Sequence, residues 1–245
     1  MIILLLIFGL FTGFVAGFFG VGGGMILIPM LLLAKYNMKE AVSISIIQMV
    51  FSSSYGTFLN YKSNKTLLKD GLSLGFGGFL GGFLSGFIVV NINEIYLKYI
   101  FLFIVIAAII RVYTTPQESN KTIIKHSIFS LSFIGFIIGT IAMSIGVGGA
   151  VMLTPILVGY MYYNLKDASS LGLFFVIFSS IAGLFSSILH HNFYFYDGVM
   201  VGLGSLFGVY IGIKIKNLVH IGSYKIYILI LYIFILFLTL YKLYF

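Results

Sequence analysis

The chain contains no cysteine, only three prolines and few charges, which amount to 8% of its 245 residues. The lack of cysteine excludes disulfides, thiol catalysis and iron–sulfur chemistry. A soluble globular domain carries about 25% charged residues, whereas hydrophobic residues make up 60% of this sequence. The composition therefore predicts a multi-pass integral membrane protein, with the lipid bilayer as its main surroundings.

Long polar segments are also lacking, and the 14 basic residues are scattered through short loops between apolar segments. Scattered loop lysines are typical of membrane topology signals and of lipid headgroup contacts. We therefore expect neither a soluble domain nor a nucleic-acid partner, although the net charge is +8. Residues 1–19 lack a basic leading region and a small-residue cleavage site, so we interpret them as an uncleaved part of the fold.

Eight apolar segments are long enough to enter a hydrocarbon layer about 30 Å thick, which needs about 20 helical residues. They are residues 2–35, 41–61, 72–90, 95–112, 128–163, 168–189, 199–213 and 223–241. The sequence predicts one all-α membrane domain over residues 1–245. It consists of repeat one at 1–113, a linker at 114–122 and repeat two at 123–245.

Two glycine motifs reveal this duplication. Residues 20–29 (GVGGGMILIP) recur 126 positions later as residues 146–155 (GVGGAVMLTP), and Pro29 and Pro155 close the two copies. Similarity then continues at an offset of 127 into the third segment of each half. Glycine runs and prolines free backbone polar groups, which is unfavourable against lipid. Two such breaks in corresponding places predict a duplicated transporter whose broken helices line a substrate site.

Lysines are distributed unequally between equivalent loops of the two repeats. After the second segment, repeat one has Lys62, Lys65 and Lys69, whereas repeat two has His190, His191 and Asp197. After the third segment the bias reverses, with Lys98 in repeat one and Lys214, Lys216 and Lys225 in repeat two. Because cytoplasmic loops collect lysine and arginine, equivalent loops are predicted to face opposite sides of the membrane. This is an inverted repeat, and it places both termini outside.

The inverted repeat requires the broken segment at residues 128–163 to return to the side on which it starts. About 35 helical residues extend about 50 Å, which suits a bent or hairpin-like pair of helices that turns at residues 146–150. The sequence leaves open whether each broken segment is a re-entrant hairpin or a pair of short crossings.

The glycine runs predict an anion-binding site. They permit backbone conformations closed to other residues, and each precedes a helical stretch whose first N–H groups and dipole favour a negative charge. The candidate substrate-binding glycines are Gly22, Gly23, Gly24, Gly148 and Gly149. Pro29 and Pro155 are predicted to kink the helices that follow. The alternative is that the glycines only permit close helix packing, but their matching positions in two halves favour a substrate site.

A polar stripe runs along the second segment of each repeat. Its candidate substrate-binding residues are Gln48, Ser52, Ser53, Ser179 and Ser180. Neutral hydroxyl and amide donors suit an oxyanion that must bind and then leave, and no buried lysine or arginine is expected among them. The alternative is that the serines bond to their own helix or to neighbouring helices. Gln48 is the strongest candidate, because a glutamine in mid-membrane is costly to keep without a role.

The third segments carry small residues at every fourth position, which predicts tight helix packing. These residues are Gly77, Gly81, Ser85, Gly204, Gly208 and Gly212. Matching acidic residues, Glu40 and Asp167, begin the second segments. They are expected to stabilise the helix starts, with gating or proton coupling as the alternative.

No catalytic constellation, ATP-binding loop or metal-ligand cluster appears in the sequence. We therefore predict a protein that is not an enzyme and uses no cofactor or metal. The adjacent histidines at 190 and 191 would point about 100° apart on a helix and do not suggest a metal site. Transport would then be secondary, driven by a substrate gradient or by a coupling ion such as a proton or sodium. Assembly as a homo-oligomer stays open.

The glycine–proline motifs at residues 13–29 and 146–155 resemble those of the sulfite exporter TauE/SafE family, also called the toluene-sulfonate uptake permease family. The resemblance covers nearly the whole chain. The second motif departs from the first at one position, where Ala150 stands in place of Gly24. It implies transport of small sulfur-containing anions, such as sulfite or organosulfonates, across a bacterial inner membrane. It fixes neither the substrate nor the direction. The alternative is a membrane scaffold or assembly factor that transports nothing.

Overall fold

The computed structural model describes residues 2–61, 68–114, 127–163, 165–190, 194–219 and 221–244. These residues form ten α-helices and no β-strand, which confirms the predicted all-α class. The helices are α1 (Ile2–Phe19), α2 (Gly24–Leu33), α3 (Met38–Tyr61), α4 (Leu68–Asn91), α5 (Glu94–Thr114), α6 (Ile128–Ser144), α7 (Ala150–Gly159), α8 (Leu165–Leu189), α9 (Phe195–Leu218) and α10 (Ile221–Tyr244). Lys62, Lys65, His191 and most of the predicted linker lie outside the described residues.

Within the described ranges, six helices are long and apolar enough to cross a membrane, namely α1, α3, α4, α5, α8 and α9. The two segments predicted to be broken are each divided at their glycine motif, into α1 and α2 and into α6 and α7. Pro29 and Pro155 lie inside α2 and α7, which continue past them. Helix α9 is longer than its predicted segment, because Asp197 occupies its first turn and Lys216 its last, where the helix dipole favours these charges.

Small residues bring two pairs of helices, α1 with α9 and α4 with α6, into close contact, as predicted. A β-carbon added at Gly81 on α4 would lie 2.2 Å from the carbonyl oxygen of Phe136 on α6, and one at Gly208 on α9 would lie 2.0 Å from that of Leu10 on α1. No side chain fits at such distances, so only glycine permits these approaches. The α1–α9 and α4–α6 pairs occupy equivalent places in the two repeats.

The order of contacts along each helix pair gives the helix directions. Along α1 and α9, the successive contacts are Gly9 with Val201, Gly13 with Ser205 and Gly17 with Val209. Both numbers rise together, so α1 and α9 are parallel. The same test makes α4 parallel to α6 and α8, and α3 parallel to α9. Helices α3 and α8 are antiparallel, because Gly56 meets Leu173 whereas Ile46 meets Gly183.

These directions place equivalent helices of the two repeats in opposite orientations. Helices α1, α3 and α9 run one way, and α6, α8 and α4 run the other way. Helix α2 is antiparallel to α3, because Gly24 lies beside Ser45 while Ile28 and Val42 meet further along, at Gly146. Helices α1 and α2 therefore form a hairpin, which ends on the side where α1 begins. The helix directions agree with the inverted repeat predicted from the lysines, which stays a prediction, and the first broken segment has the hairpin form.

Candidate functional site

Both glycine motifs contain left-handed backbone at matching positions. The angle φ is 73° at Gly20, 81° at Gly22 and 82° at Gly23, and the equivalent glycines at 146, 148 and 149 have values of 69°, 86° and 75°. Gly23 and Gly149 are the N-caps of α2 and α7, and no side chain caps either helix. The prediction that these glycines adopt backbone conformations closed to other residues is confirmed. Each of the two motifs is followed by a helix whose start no side chain caps.

Gly24 differs from this expectation. It is the first residue of α2 and does not have a positive φ, so conformational freedom does not explain it. Space does, because a β-carbon here would lie 2.1 Å from the carbonyl oxygen of Gly146 and 2.5 Å from Ser45 Oγ. The equivalent residue of repeat two, Ala150, keeps its side chain beside Gly172.

The two motifs meet at the centre of the bundle. Gly22 and Gly148 both lie against Met49 of α3 and Val176 of α8, which are equivalent at the 127-residue offset. Ser45 donates a hydrogen bond of 2.7 Å to the carbonyl of Gly146, and so joins α3 to the second motif. The starts of α2 and α7 therefore lie close together, between the middles of α3 and α8.

Gln48 is the most unusual side chain at this centre. It is fully buried, and neither its Nε2 nor its Oε1 has a hydrogen-bond partner. A β-carbon at Gly23 would lie 2.9 Å from Nε2 and 3.2 Å from Oε1, so the amide faces the N-cap of α2. Each unsatisfied buried polar group costs about 1–3 kcal/mol. Gln48 is therefore a buried, unsatisfied amide beside a helix start that no side chain caps.

The predicted serines divide into two groups. Ser52 Oγ lies 3.3 Å from the carbonyl oxygen of Gly22, to which it donates, and so contacts the first motif. Ser53, Ser179 and Ser180 donate to carbonyls of their own helices three or four residues earlier. Their contacts match the alternative given for them, in which membrane serines bond within the helix. Their role in substrate binding stays a prediction.

The surroundings of the two helix starts are not equivalent. Gly23 faces Gln48 and the carbonyl of Thr12, whereas Gly149 faces Phe175, Ile138 and Ala142. Phe175 occupies the position that matches Gln48. The site therefore has a polar wall at α2 and an apolar wall at α7, a difference that the matching glycine motifs do not reveal.

A buried lysine corrects the expectation that none would be found. Lys216 was assigned to a loop, but it lies in the last turn of α9 and is only 2% exposed. Its ammonium donates hydrogen bonds to the hydroxyls of Ser169 and Ser170 at 3.0 and 3.2 Å. The sequence does contain a signal for this burial, namely the two-residue spacing of Lys214 and Lys216. Residues two apart point to opposite sides of a helix, so once α9 extends past them, one lysine faces inward.

Two tyrosines missed by the sequence analysis join the repeats at opposite ends of the bundle. Tyr36 donates to Asp197 at 2.9 Å, and Tyr163 donates to Asp70. Both the tyrosines and the aspartates match at the 127-residue offset. Burial, together with the bond to Asp197, raises the pKa of Tyr36 to about 12. Burial and Asp70 likewise raise the pKa of Tyr163 above its ordinary value. Both hydroxyls therefore stay protonated as donors.

The acidic residue at the start of α3 has a structural role, as expected. The Glu40 carboxylate accepts the backbone N–H of Asn37 at 2.9 Å, and the Asn37 side chain accepts the N–H of Glu40 at the same distance. This reciprocal pair is a capping box. Glu40 also accepts a hydrogen bond of 3.0 Å from Tyr194, so it ties the start of α3 to that of α9.

The centre is closed in this structure. Gln48, Met49 and the three glycines Gly22–Gly24 are buried. A groove of about 230 Å³ lies between α5 and α7 and is lined by Ala107, Ala108, Val151, Met152, Pro155 and Ile156. An apolar groove of about 470 Å³ lies on the outer side of α1, beside α9 and α10. Gln48 lines neither of these two grooves.

The described residues form an all-helical bundle with six helices long and apolar enough to cross a membrane, which is the architecture of a multi-pass integral membrane protein. The sequence model of the family described as sulfite exporter TauE/SafE matches residues 5–241, nearly the whole chain. The protein belongs to the sulfite exporter TauE/SafE family, which confirms the resemblance found in the motifs.

The probable membrane transporter protein MJ0441 of Methanocaldococcus jannaschii is 43% identical over 58 residues, which cover 24% of this chain and 21% of the relative. The similarity thus spans about a fifth of the relative's length. No solved structure matches the chain.

Proposed function

We propose that this protein is a secondary transporter of small sulfur-containing anions, such as sulfite or organosulfonates, in a bacterial inner membrane. One observation carries the proposal: the fully buried Gln48 amide has no hydrogen-bond partner and faces Gly23, the N-cap of α2. Family membership agrees with transport, as does the name of the relative.

The chemistry of this centre suits an oxyanion. The start of α2 has no side-chain cap, so its first N–H groups and the helix dipole favour a negative charge. The amide of Gln48 adds a neutral donor that neither traps the anion nor requires a proton to be moved. Ser52 holds the motif through the carbonyl of Gly22, which keeps the donors of the turn oriented.

The helix directions suit alternating access to such a site. Each hairpin reaches the centre from one end of the bundle, and the two hairpins do so from opposite ends. Movement of one hairpin against α3 and α8 would open the centre to one side while the other hairpin keeps it closed. A proton or sodium gradient, or the substrate gradient itself, would drive net transport.

The test is a flux assay with purified protein in liposomes, over a panel of sulfite, sulfate, thiosulfate and short sulfonates. We expect saturable flux of at least one of these anions. The variant Gln48→Met keeps the volume and removes the amide, and it should weaken the apparent affinity roughly ten-fold, as expected for one neutral donor. Ser54→Ala is the matched control on the same helix, because Ser54 is exposed and is not among the candidate binding residues.

Two outcomes would overturn the proposal. The absence of flux for the whole panel, with folded protein in the liposomes, would favour a scaffold or assembly role. Flux that is equally affected by Gln48→Met and Ser54→Ala would show that α3 contributes through packing and that the binding groups lie elsewhere.

A further inference from the structure

A buried cation lies next to the first glycine motif, outside the site described above. The ammonium of Lys216 is bonded to Ser169 and Ser170, at the start of α8. Ser169 in turn packs on Gly20, where an added β-carbon would lie 2.2 Å from its hydroxyl oxygen. Lys216 therefore reaches the turn between α1 and α2 through a single hydroxyl group.

The burial of this lysine is selective. Lys214, two residues earlier on α9, is exposed, whereas Lys216 is 2% exposed. A lysine inside the apolar part of a membrane protein is costly, and such residues face bundle interiors and mark substrate or ion pathways. The buried lysine therefore lies on the side of α9 that faces the first glycine motif.

The position has no symmetric counterpart of the same chemistry. At the 127-residue offset, Lys216 matches Val89 and Ser169 matches Val42. Since the repeats run in opposite directions, these valines lie toward the other end of the bundle. The two ends of the bundle therefore differ at this matched pair of positions, and the buried lysine lies at the end where α9 finishes and α8 begins.

We propose that Lys216, Ser169 and Ser170 form a second anion-binding position, which a small oxyanion occupies between the Gly23–Gln48 site and the end of the bundle where α9 finishes. The proposal rests on the anion transport proposed above and deepens it. The ammonium attracts the oxyanion and donates to it, and the two hydroxyls, which can turn, donate as well. The position gives the transporter a higher affinity for anions from this end than from the other.

The experiment combines equilibrium binding of sulfite to the purified protein with sulfite uptake into membrane vesicles of both orientations. The variants are Lys216→Met, Lys216→Arg and the matched control Lys214→Met. Lys216→Met should weaken sulfite binding about ten-fold or more, since a hydrogen bond to a charged group contributes that much. In uptake, the half-saturating concentration should rise on the face where α9 ends and stay unchanged on the other. Lys216→Arg should restore most of the affinity, and Lys214→Met should behave as wild type.

The outcomes separate this inference from the proposed function. Sulfite binding that Lys216→Met leaves unchanged would overturn the second position, even if the wild type transports sulfite. An equal effect on both faces of the membrane would overturn it as well. Binding that depends on Lys216 without any flux in the wild type would instead overturn the transport proposal and retain the anion position. Thermal unfolding of each variant is measured as a control, to show that every variant is folded under the assay conditions.

Discussion

Tyr36 and Asp197, which are 161 positions apart in the chain, are joined by a hydrogen bond of 2.9 Å between Tyr36 Oη and Asp197 Oδ2. The bond ties the segment between α2 and α3 to the first turn of α9. Tyr163 and Asp70 repeat it at the opposite end, between the α7–α8 segment and the first turn of α4. Each end of the closed bundle thus has one tyrosine–aspartate bond between the repeats, placed where a re-entrant hairpin returns to the surface.

We expect these bonds to hold the two ends closed, so that Tyr36→Phe and Tyr163→Phe open the centre from opposite sides. Because the chain has no cysteine, Ser52→Cys provides a single reactive thiol at the first motif. An impermeant maleimide should label it faster from the side of Tyr36 in Tyr36→Phe, and faster from the other side in Tyr163→Phe. Equal labelling from both sides in both variants would contradict the assignment.

The pH dependence of the Tyr36 bond follows from its raised pKa. The pKa is about 12 in the folded protein and 10.0 in the ordinary tyrosine. The contribution of the bond to stability is therefore fully present below about pH 10 and is lost as pH rises through about 12. The stability difference between the wild type and Tyr36→Phe, measured by thermal unfolding in detergent, should be constant near neutral pH and vanish in that alkaline range. A difference that disappears near neutral pH would contradict the prediction.

Gln48→Met should make the empty protein more stable while it weakens transport. The substitution removes two buried polar atoms that lack partners, each worth about 1–3 kcal/mol of penalty when unsatisfied. We expect a higher unfolding temperature in detergent without substrate, together with a smaller stabilisation by added anion. A lower unfolding temperature would indicate that Gln48 makes a structural hydrogen bond, and would remove the argument for its binding role.

Gly23→Ala should reduce transport sharply. The residue has a φ of 82°, and its β-carbon would lie 2.9 Å from the Gln48 amide and from the Thr12 carbonyl. Left-handed backbone costs a residue with a β-carbon about 1–2 kcal/mol, and the methyl group displaces the amide. Gly56→Ala is a matched control, because its β-carbon would meet the movable end of the Leu173 side chain at 3.1 Å. Equal flux for both variants relative to their folded amounts would contradict this reading of the motif.

The opposite directions of the repeats predict opposite sides for equivalent loops. Reporter fusions at residues 62–67 and at residues 191–193 should lie on different sides of the membrane, with the lysine-rich loop 62–67 in the cytoplasm. If both reporters lie on the same side of the membrane, the inverted repeat is contradicted.

The sequence by itself determined the features that depend on composition and on repetition. Its hydrophobic content required a membrane, the paired glycine motifs located both helix breaks, and the small residues on α4 and α9 identified the tight contacts. Glu40 was assigned correctly to a helix start. Each of these features follows from a residue type and its place along one helix, so no knowledge of neighbouring helices is needed.

Only the tertiary structure decided which side chains meet. Helices in a bilayer are apolar on every side, so the periodicity that marks the inner face of a soluble helix is weak here. The inward direction of Lys216, the isolation of Gln48 and the pairing of Tyr36 with Asp197 all depend on how helices from two repeats turn toward one another. The matching motifs do not reveal the difference between Gln48 and Phe175, because similar backbone at the two glycine turns is combined with different neighbours from α3 and α8.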